Sequence, residues 1–561
     1  MNKKISKIAL LLVLFLPFYF FGQDSQLEPE EPIFEFPDSD DLSEQDFQES
    51  DEESFFSEQN QNYKKNITIA HTPSLQTLNP HKSSYSSEAQ ILINVYEGLF
   101  SYNSKNLTPE FAIAKEYKIS RDKKRWTFIL RDDAKFSDGT KITAEDVKNS
   151  WVKLLQTKNA PYSSLFDIVK GAKNVRNGGA LEDLGIYVLD ENTISIHLNN
   201  PASYLPKLLC LPSFAVVSQN PGVFSGPFYI SMVTPTEIEL LKNYEYYDQK
   251  NVSLEQVSFL LTDDSEENAY LYNTGLADWV TGNAKLEKII NENAKQISAQ
   301  FATEFFFFKN YDESSQFKTK DFDIWNKKEF RAAPLEACPW DLLRKNVFVK
   351  ANTLVYPTAD YPEVQGYDYT DPIEAKNLMQ NARKKYNIPE EQILNLSIAV
   401  SEYSVERVKI FEDAWSPLGV NVNFTILKAN DYLTKQNSTS ADLFLYSWIG
   451  DFLDPLAFLE LFKSDSVLNT SNWKNQEFDE KLQEANLYTD STRFKLLSEA
   501  EQILLDDAEI LPIQHTVSLN IINLQEISGW YINEFDLHPL KDVFILEKQK
   551  SYPGLVKSLN L

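Results

Sequence analysis

The chain has 561 residues and a formal net charge of −28, from 54 Lys and Arg against 82 Asp and Glu. This excess of carboxylates argues against nucleic-acid binding, because the protein has few cations to replace phosphate counterions. Only 16 glycines and two cysteines are present, and neither a P-loop nor a Rossmann fingerprint occurs. Glycine-rich nucleotide-binding loops and folds held together by disulfides are therefore disfavoured. The length indicates two or three domains.

The first 22 residues are predicted to be a signal peptide. Three lysines precede an apolar run over residues 8–21, which is too short to span a bilayer comfortably. An uncleaved membrane anchor is the alternative, because Phe20 stands where a small residue is wanted before cleavage near Gly22. No cysteine follows the run, so an N-terminal lipoprotein anchor is not expected. The body is predicted to be periplasmic or otherwise extracytoplasmic.

Residues 23–62 are predicted to be a disordered acidic linker. They hold 15 acidic side chains and no basic one, together with Ser, Gln and Pro. Such a segment cannot bury enough apolar surface to offset its chain entropy. It is either a solvated spacer or a docking segment for a basic partner. The 499 residues outside residues 1–62 carry a formal charge of −16.

From Asn66 onward the sequence is typical of a mixed α/β protein. Alternating apolar residues predict strands, 3.6-residue periodicity predicts helices, and Thr143 with Asp146 forms a capping-box pattern. In chain order the predicted elements are a strand at 67–70, a helix at 89–100, a strand at 126–130, a turn at 137–140, a helix from 144 to about 155, a strand at 194–198, a helix at 372–382, and helices containing 478–485 and 494–504.

No coherent catalytic set is found in the sequence. The five histidines are scattered without the paired spacing of a zinc site, and no Gly-x-Ser-x-Gly elbow occurs. Residues 315–318 match Ser-x-x-Lys, but the partner motifs of penicillin-binding enzymes are missing. An exported binding protein without metal or cofactor is therefore predicted, and an exported hydrolase using unrecognised carboxylates stays open.

Five groups of motifs follow one another along the body. They are LNPHK at 78–82 with VYEGL at 95–99; WTFILRDDAKFSDG at 126–139 with TAEDV at 143–147; SGPFY at 225–229 with NYEYY at 243–247; WIGDFLDP at 448–455; and AE at 500–501 with ILPI at 510–513. In this order, from about residue 66 to 547, they resemble the extracytoplasmic solute-binding proteins of peptide ABC transporters, the oligopeptide- and dipeptide-binding family 5.

The resemblance implies an α/β fold of the two-lobed periplasmic-binding-protein type, class II, with an extra small domain inserted in lobe I. Solute is enclosed between the lobes, which are joined by hinges where the chain crosses. The implied ranges are 63–100, 195–300 and 517–561 for lobe I, 101–194 for the insert and 301–516 for lobe II.

The same resemblance implies an anchor for a ligand amine. Asp451 falls on the family's amine-binding aspartate, and the alternative is a turn residue in an aromatic loop. Trp448 would wall the first side-chain pocket, with a core tryptophan as the alternative. Gly450, which lies between the two in sequence, is also expected to bind the ligand.

Three further groups of ligand-binding residues follow from the resemblance. Ser84, Tyr85 and Ser86 fall on the segment that pairs with the ligand backbone. Another lining loop is implied for Thr281, Gly282 and Asn283. His515 lies near the returning crossover, where it either faces the cleft or is a satisfied hinge histidine.

Two features depart from the family pattern. Pro334 stands in the segment that replaces a regular helix and would break that helix's interior unless it begins the helix. The contact to a ligand carboxylate is therefore left unassigned. Cys210 and Cys338 fall in different lobes, so two buried free thiols are expected rather than a bridge.

The function that the resemblance implies is that of a substrate-binding component of an ABC transporter. It would capture oligopeptides and deliver them to membrane permease subunits, as a monomer without enzymatic activity. The alternatives are a non-peptide solute on the same fold, or a surface adhesion or signalling protein. The charge of −16 on the body favours cationic peptides.

Overall fold

The computed structural model describes residues 63–546 except 74–76, 359, 429–431 and 433–434. The predicted signal peptide and acidic linker lie outside the described residues.

The described part of the chain contains strands from two to 14 residues long. They are β1 (Tyr63–Lys64), β2 (Asn66–His71), β3 (Phe100–Tyr102), β4 (Pro109–Phe111), β5 (Ala114–Ile119), β6 (Arg125–Leu130), β7 (Ile186–Asp190), β8 (Thr193–His197), β9 (Phe228–Val233), β10 (Glu237–Lys242), β11 (Gln256–Leu261), β12 (Trp279–Thr281), β13 (Lys295–Phe308), β14 (Val349–Lys350), β15 (Leu394–Ser401), β16 (Val420–Leu427), β17 (Leu443–Ile449), β18 (Ile510–Ile522), β19 (Ile527–Ser528) and β20 (Phe544–Leu546).

Helices are interspersed with these strands. They are α1 (Ser86–Val95), α2 (Ala144–Gln156), α3 (Ala172–Arg176), α4 (Leu205–Leu208), α5 (Ser265–Asn273), α6 (Phe322–Trp325), α7 (Lys328–Glu336), α8 (Trp340–Leu343), α9 (Pro372–Tyr386), α10 (Val405–Val408), α11 (Ile410–Trp415), α12 (Leu456–Leu459), α13 (Gln476–Ala485) and α14 (Ser491–Asp506).

One large mixed sheet runs through the molecule in the order β16-β15-β17-β13-β18-β12-β2-β11-β10-β9, with β14 attached to β18. Its centre is the antiparallel pair β13 and β18, which extends from Lys295 opposite Ile521 to Phe307 opposite Ile510. At one end of this pair β18 also bonds to β12, and at the other end β13 also bonds to β17. The two predicted crossings between lobes, near residues 300 and 516, fall within these long strands. The fold is thus the predicted two-lobed α/β architecture.

The insert carries a separate sheet, in the order β5-β6-β8-β7, whose strand β8 runs to His197, three residues beyond the range implied for the insert. Helix α2 packs on it, and both halves of the predicted capping box at its N-terminus are present, with Thr143 Oγ1 accepting from the Asp146 amide and Asp146 Oδ2 from the Thr143 amide. One continuous cluster of buried apolar side chains joins the insert, residues 198–216 of lobe I and lobe II, and the Tyr162 ring of the insert lies 6.5 Å from the Trp448 ring of lobe II. The insert and lobe II are therefore in close contact.

Most of the predicted elements are confirmed to within a few residues, but two are not. The helix predicted over 89–100 ends at Val95, because Tyr96 already has an extended backbone, with φ −123° and ψ 144°, and β3 begins at Phe100. Pro334 lies inside α7 rather than breaking or beginning it. Its carbonyl oxygen accepts a hydrogen bond from the Trp415 indole N–H at 2.8 Å, which ties this end of the helix to the rest of the lobe.

Candidate functional site

Strand β17 ends in a loop that is held close to the neighbouring strand β13. The Gly450 amide donates to the carbonyl oxygen of Phe301 at 2.7 Å. A Cβ at this glycine would lie 2.4 Å from the Phe301 ring, so only glycine allows the close approach. Gly450 therefore serves to bring the following residue, Asp451, to a defined position.

The far side of the same loop is fixed by a buried ion pair. Asp454 accepts two hydrogen bonds from Arg493, at 2.7 and 2.8 Å, and one from the Leu456 amide at 2.9 Å. Both charged side chains are buried, and the guanidinium of Arg493 stacks 4.8 Å from the ring centre of Tyr204. A bidentate geometry of this kind fixes orientation as well as distance.

Asp451 belongs to lobe II and faces the insert. The Tyr102 hydroxyl donates to its backbone carbonyl oxygen at 2.7 Å. Burial raises the pKa of its carboxyl group to about 7, against the opposing effect of a hydrogen bond from Tyr162. Among the described residues, no Lys, Arg or His forms an ion pair with Asp451. The site is therefore a desolvated carboxylate without a counter-ion, which favours a cationic group from outside the chain.

Tyr102 and Tyr162 were not predicted as site residues. Both belong to the insert, far from Asp451 in sequence, and nothing around them in the sequence distinguishes them from core aromatic residues. Only the packing of the insert on lobe II reveals them.

Trp448 contributes to an aromatic wall beside the carboxylate. Its ring centre lies 6.3 Å from that of Tyr446, nearly parallel, and 6.5 Å from that of Tyr162. The side chain is buried, and its indole N–H donates to the Ala457 carbonyl oxygen at 2.8 Å. Trp448 thus combines the contacts of a core tryptophan with a position next to Asp451.

The segment containing Ser84, Tyr85 and Ser86 approaches this wall from lobe I. Tyr85 is the N-cap residue of α1. Its pKa is raised, mainly by burial and to a smaller extent by the negative charge of Glu88. The pKa of Tyr446 is raised by burial and then by its electrostatic interactions with Tyr85 and Asp451. Tyr85 therefore lies within electrostatic reach of the lobe II residues around Asp451. Ser84 is half-buried and Ser86 is exposed.

The predicted loop of Thr281, Gly282 and Asn283 lies at the end of β12. Thr281 Oγ1 is 2.8 Å from His71 Nδ1, and Asn283 donates to the Asp263 carbonyl oxygen at 2.9 Å. Gly282 has a φ of +77°, which favours glycine. The described hydrogen bonds of this loop do not reach the Asp451 loop, so the structure does not join the two groups.

His515 is buried within the central sheet. Its Nδ1 lies 3.0 Å from Thr303 Oγ1 and 3.3 Å from the Ala302 carbonyl oxygen, and its ring packs against Tyr356. Burial lowers the pKa of His515 to about 4. The histidine is therefore neutral near pH 7 and is held by partners within the protein.

Metal and thiol chemistry is not apparent in the part of the chain that the structure covers. Its His, Cys, Asp and Glu side chains form no group of three or more that could hold a metal ion. Cys210 and Cys338 are both buried and unpaired, as expected, and burial raises the pKa of each thiol. Within the described residues, no helix has the length and apolar character needed to cross a membrane.

Comparison with known families assigns the chain. The model of the bacterial extracellular solute-binding proteins, family 5 (middle region), matches residues 108–469. The chain belongs to this family. The dipeptide-binding protein DppE of Bacillus subtilis is 25% identical over 462 residues, covering 78% of this chain and 84% of DppE.

Solved structures show the same fold. The murein tripeptide binding protein MppA of Escherichia coli is 22% identical, with a TM-score of 0.76 over 87% of this chain and 100% of MppA. The unliganded open form of MppA gives a TM-score of 0.61 over 87% of this chain and 98% of MppA, at 22% identity.

Proposed function

We propose that this protein is a peptide receptor that captures oligopeptides between its two lobes and delivers them to the permease of an ABC transporter. The observation that carries the proposal is the half-buried, desolvated carboxylate of Asp451, which forms no ion pair with a cation of the described residues. The α-ammonium group of a peptide would supply that missing charge and donate hydrogen bonds. The names of DppE and MppA, which specify a dipeptide and a murein tripeptide, support a peptide ligand.

The remaining site residues have proposed roles of their own. Trp448 and Tyr162 would flank the first ligand residue, with Gly450 setting the loop, and Ser84 to Ser86 would meet the ligand backbone from lobe I. The loop of Thr281, Gly282 and Asn283 would line the cleft farther from Asp451. His515, being neutral and internally hydrogen-bonded, would act through the position of the central strands rather than by direct contact.

The same proposal includes the lobe ranges given above, export by the N-terminal segment, a monomeric state and the absence of catalysis. Support for the ranges comes from the two long strands β13 and β18, which pass between the halves of the large sheet. Opening and closing at these crossings would be a population shift driven by contacts that the ligand makes only when the lobes are together.

A thermal-shift experiment with purified full-length protein tests the proposal. A mixture of tri- to pentapeptides with free amino termini should raise the unfolding temperature, and the same mixture after N-acetylation should do so far less. Equal stabilisation by both mixtures would contradict an amine anchor, and no stabilisation by either would contradict peptide capture.

A further inference from the structure

A second contact between the insert and lobe II lies apart from Asp451. It consists of three cations and three carboxylates, here named the rim cluster: Asp167, Lys173 and Arg176 from the insert, and Glu460, Lys463 and Asp465 from lobe II. A cavity of about 520 Å³ opens beside it and is lined by residues of both regions. The rim cluster thus bridges two parts of the chain that meet only in the folded protein.

Arg176 is held in place by its own region. Its Nε and Nη2 atoms bond the two carboxylate oxygens of Asp167 at 3.1 and 2.6 Å, and both side chains are largely buried. Its Nη1 then donates to the backbone carbonyl oxygen of Asp465 at 3.3 Å. A guanidinium fixed by a bidentate pair needs little reordering to meet lobe II.

On the lobe II side, Asp465 forms ion pairs with the cations of the insert. Its carboxylate lies 2.8 Å from Lys173 Nζ and 3.5 Å from Arg176 Nη2, and 3.3 Å from Lys463 Nζ of its own lobe. Burial raises the pKa of Asp465, but the charges of Lys463 and Lys173 overcome this and lower it to about 2. The Asp465 carboxylate is therefore ionised at any ordinary pH, and its strongest cross-lobe partner is Lys173.

We propose that the rim cluster is an electrostatic latch that holds the insert against lobe II and slows the release of bound solute. The latch rests on the proposed function, because solute is taken to lie between the lobes. Its residues act by positioning the lobes, since the described contacts of the cluster do not include Asp451 or its neighbours. Opening the lobes would separate Lys173 and Arg176 from Asp465.

The expected change in the rate of solute release follows from how exposed the Lys173–Asp465 ion pair is. The side chains of Lys173 and Asp465 are 58% and 36% exposed, so water and salt screen them. A pair of this kind contributes modestly, and its loss should speed solute release about two- to five-fold. High salt should also speed solute release, because it screens the same charges.

A charge-swap cycle on the full-length chain tests the latch. The variants are Lys173→Glu, Asp465→Lys and the two combined, and both positions are exposed enough to accept the change. The radius of gyration without ligand is measured by small-angle X-ray scattering at 50 and 500 mM NaCl, and the dissociation rate of trialanine by stopped flow. Lys115→Glu with Asp132→Lys is the matched control, because that ion pair lies wholly within the insert.

Each single swap should enlarge the unliganded protein at low salt and speed trialanine release two- to five-fold. The double swap should restore both values only in part, because a lysine at 465 still faces Arg176 and Lys463, and the control pair should change neither. Single swaps that leave both values unchanged, or values that do not respond to salt in the unmodified protein, would overturn the latch. Asp465→Asn, which keeps the side-chain shape, provides a second variant if a swap disturbs folding. If trialanine does not bind at all, the proposed function fails for that ligand, while the scattering data still judge the latch.

Discussion

Replacing Asp451 with asparagine removes the charge of the proposed amine anchor and keeps its shape. The carboxylate is desolvated, as its pKa of about 7 indicates, and Tyr162 contributes one hydrogen bond to it. Removing one partner of a buried, hydrogen-bonded charge pair costs about 2–5 kcal/mol, because the other charge is left unpaired. At about 1.4 kcal/mol per factor of ten, the Kd for a free-amine peptide should rise from roughly 30-fold to a few thousand-fold.

Isothermal titration calorimetry with trialanine and N-acetyl-trialanine measures this loss. The wild type should strongly prefer the free amine, and Asp451→Asn should bind both peptides with similar, weak affinity. Asp132→Asn, which changes an exposed carboxylate of the insert, is the control and should bind like the wild type. An Asp451→Asn protein that keeps the full preference for the free amine would refute the reasoning.

Three further results are expected. Asp451 must be ionised to accept an ammonium, and its pKa is about 7 in the unliganded structure. The affinity for trialanine should therefore rise about tenfold per pH unit between pH 5.5 and 7 and then level off. In the same calorimetric titrations, the affinity of Asp451→Asn should show no such slope. Gly450→Ala should lower the free energy of unfolding by about 1–3 kcal/mol, because the new methyl group meets the Phe301 ring; unchanged urea unfolding would contradict this. Arg493→Met should cost about 3–5 kcal/mol, because Asp454 stays buried without its cation, and adding Asp454→Asn should recover part of the loss in the same urea assay.

Local features of the fold were predictable from the sequence because their causes are local. The capping box of Thr143 and Asp146 is satisfied by groups three residues apart, and the helix faces at 478–485 and 494–504 follow from periodicity alone. The family motifs then supplied the two-lobed architecture.

Features that depend on distant contacts were not predictable. The helix that begins at Ser86 stops at Val95, and the chain that follows brings Gly98 against the backbone of Leu209, more than a hundred residues away. Tyr102 and Tyr162 join the Asp451 site only because the insert packs on lobe II. Such residues carry no local pattern, so sequence reasoning proposed Asp451 as an anchor but did not predict the groups that surround it.

The most direct test of the central claim is to identify what the protein carries. Full-length protein purified without added ligand is denatured, and the released small molecules are identified by mass spectrometry, alongside an Asp451→Asn sample prepared in the same way. We predict short peptides with free amino termini from the wild type and a marked depletion of them from the variant. A non-peptide solute, or the same peptides in equal amounts from both samples, would contradict peptide capture anchored by Asp451.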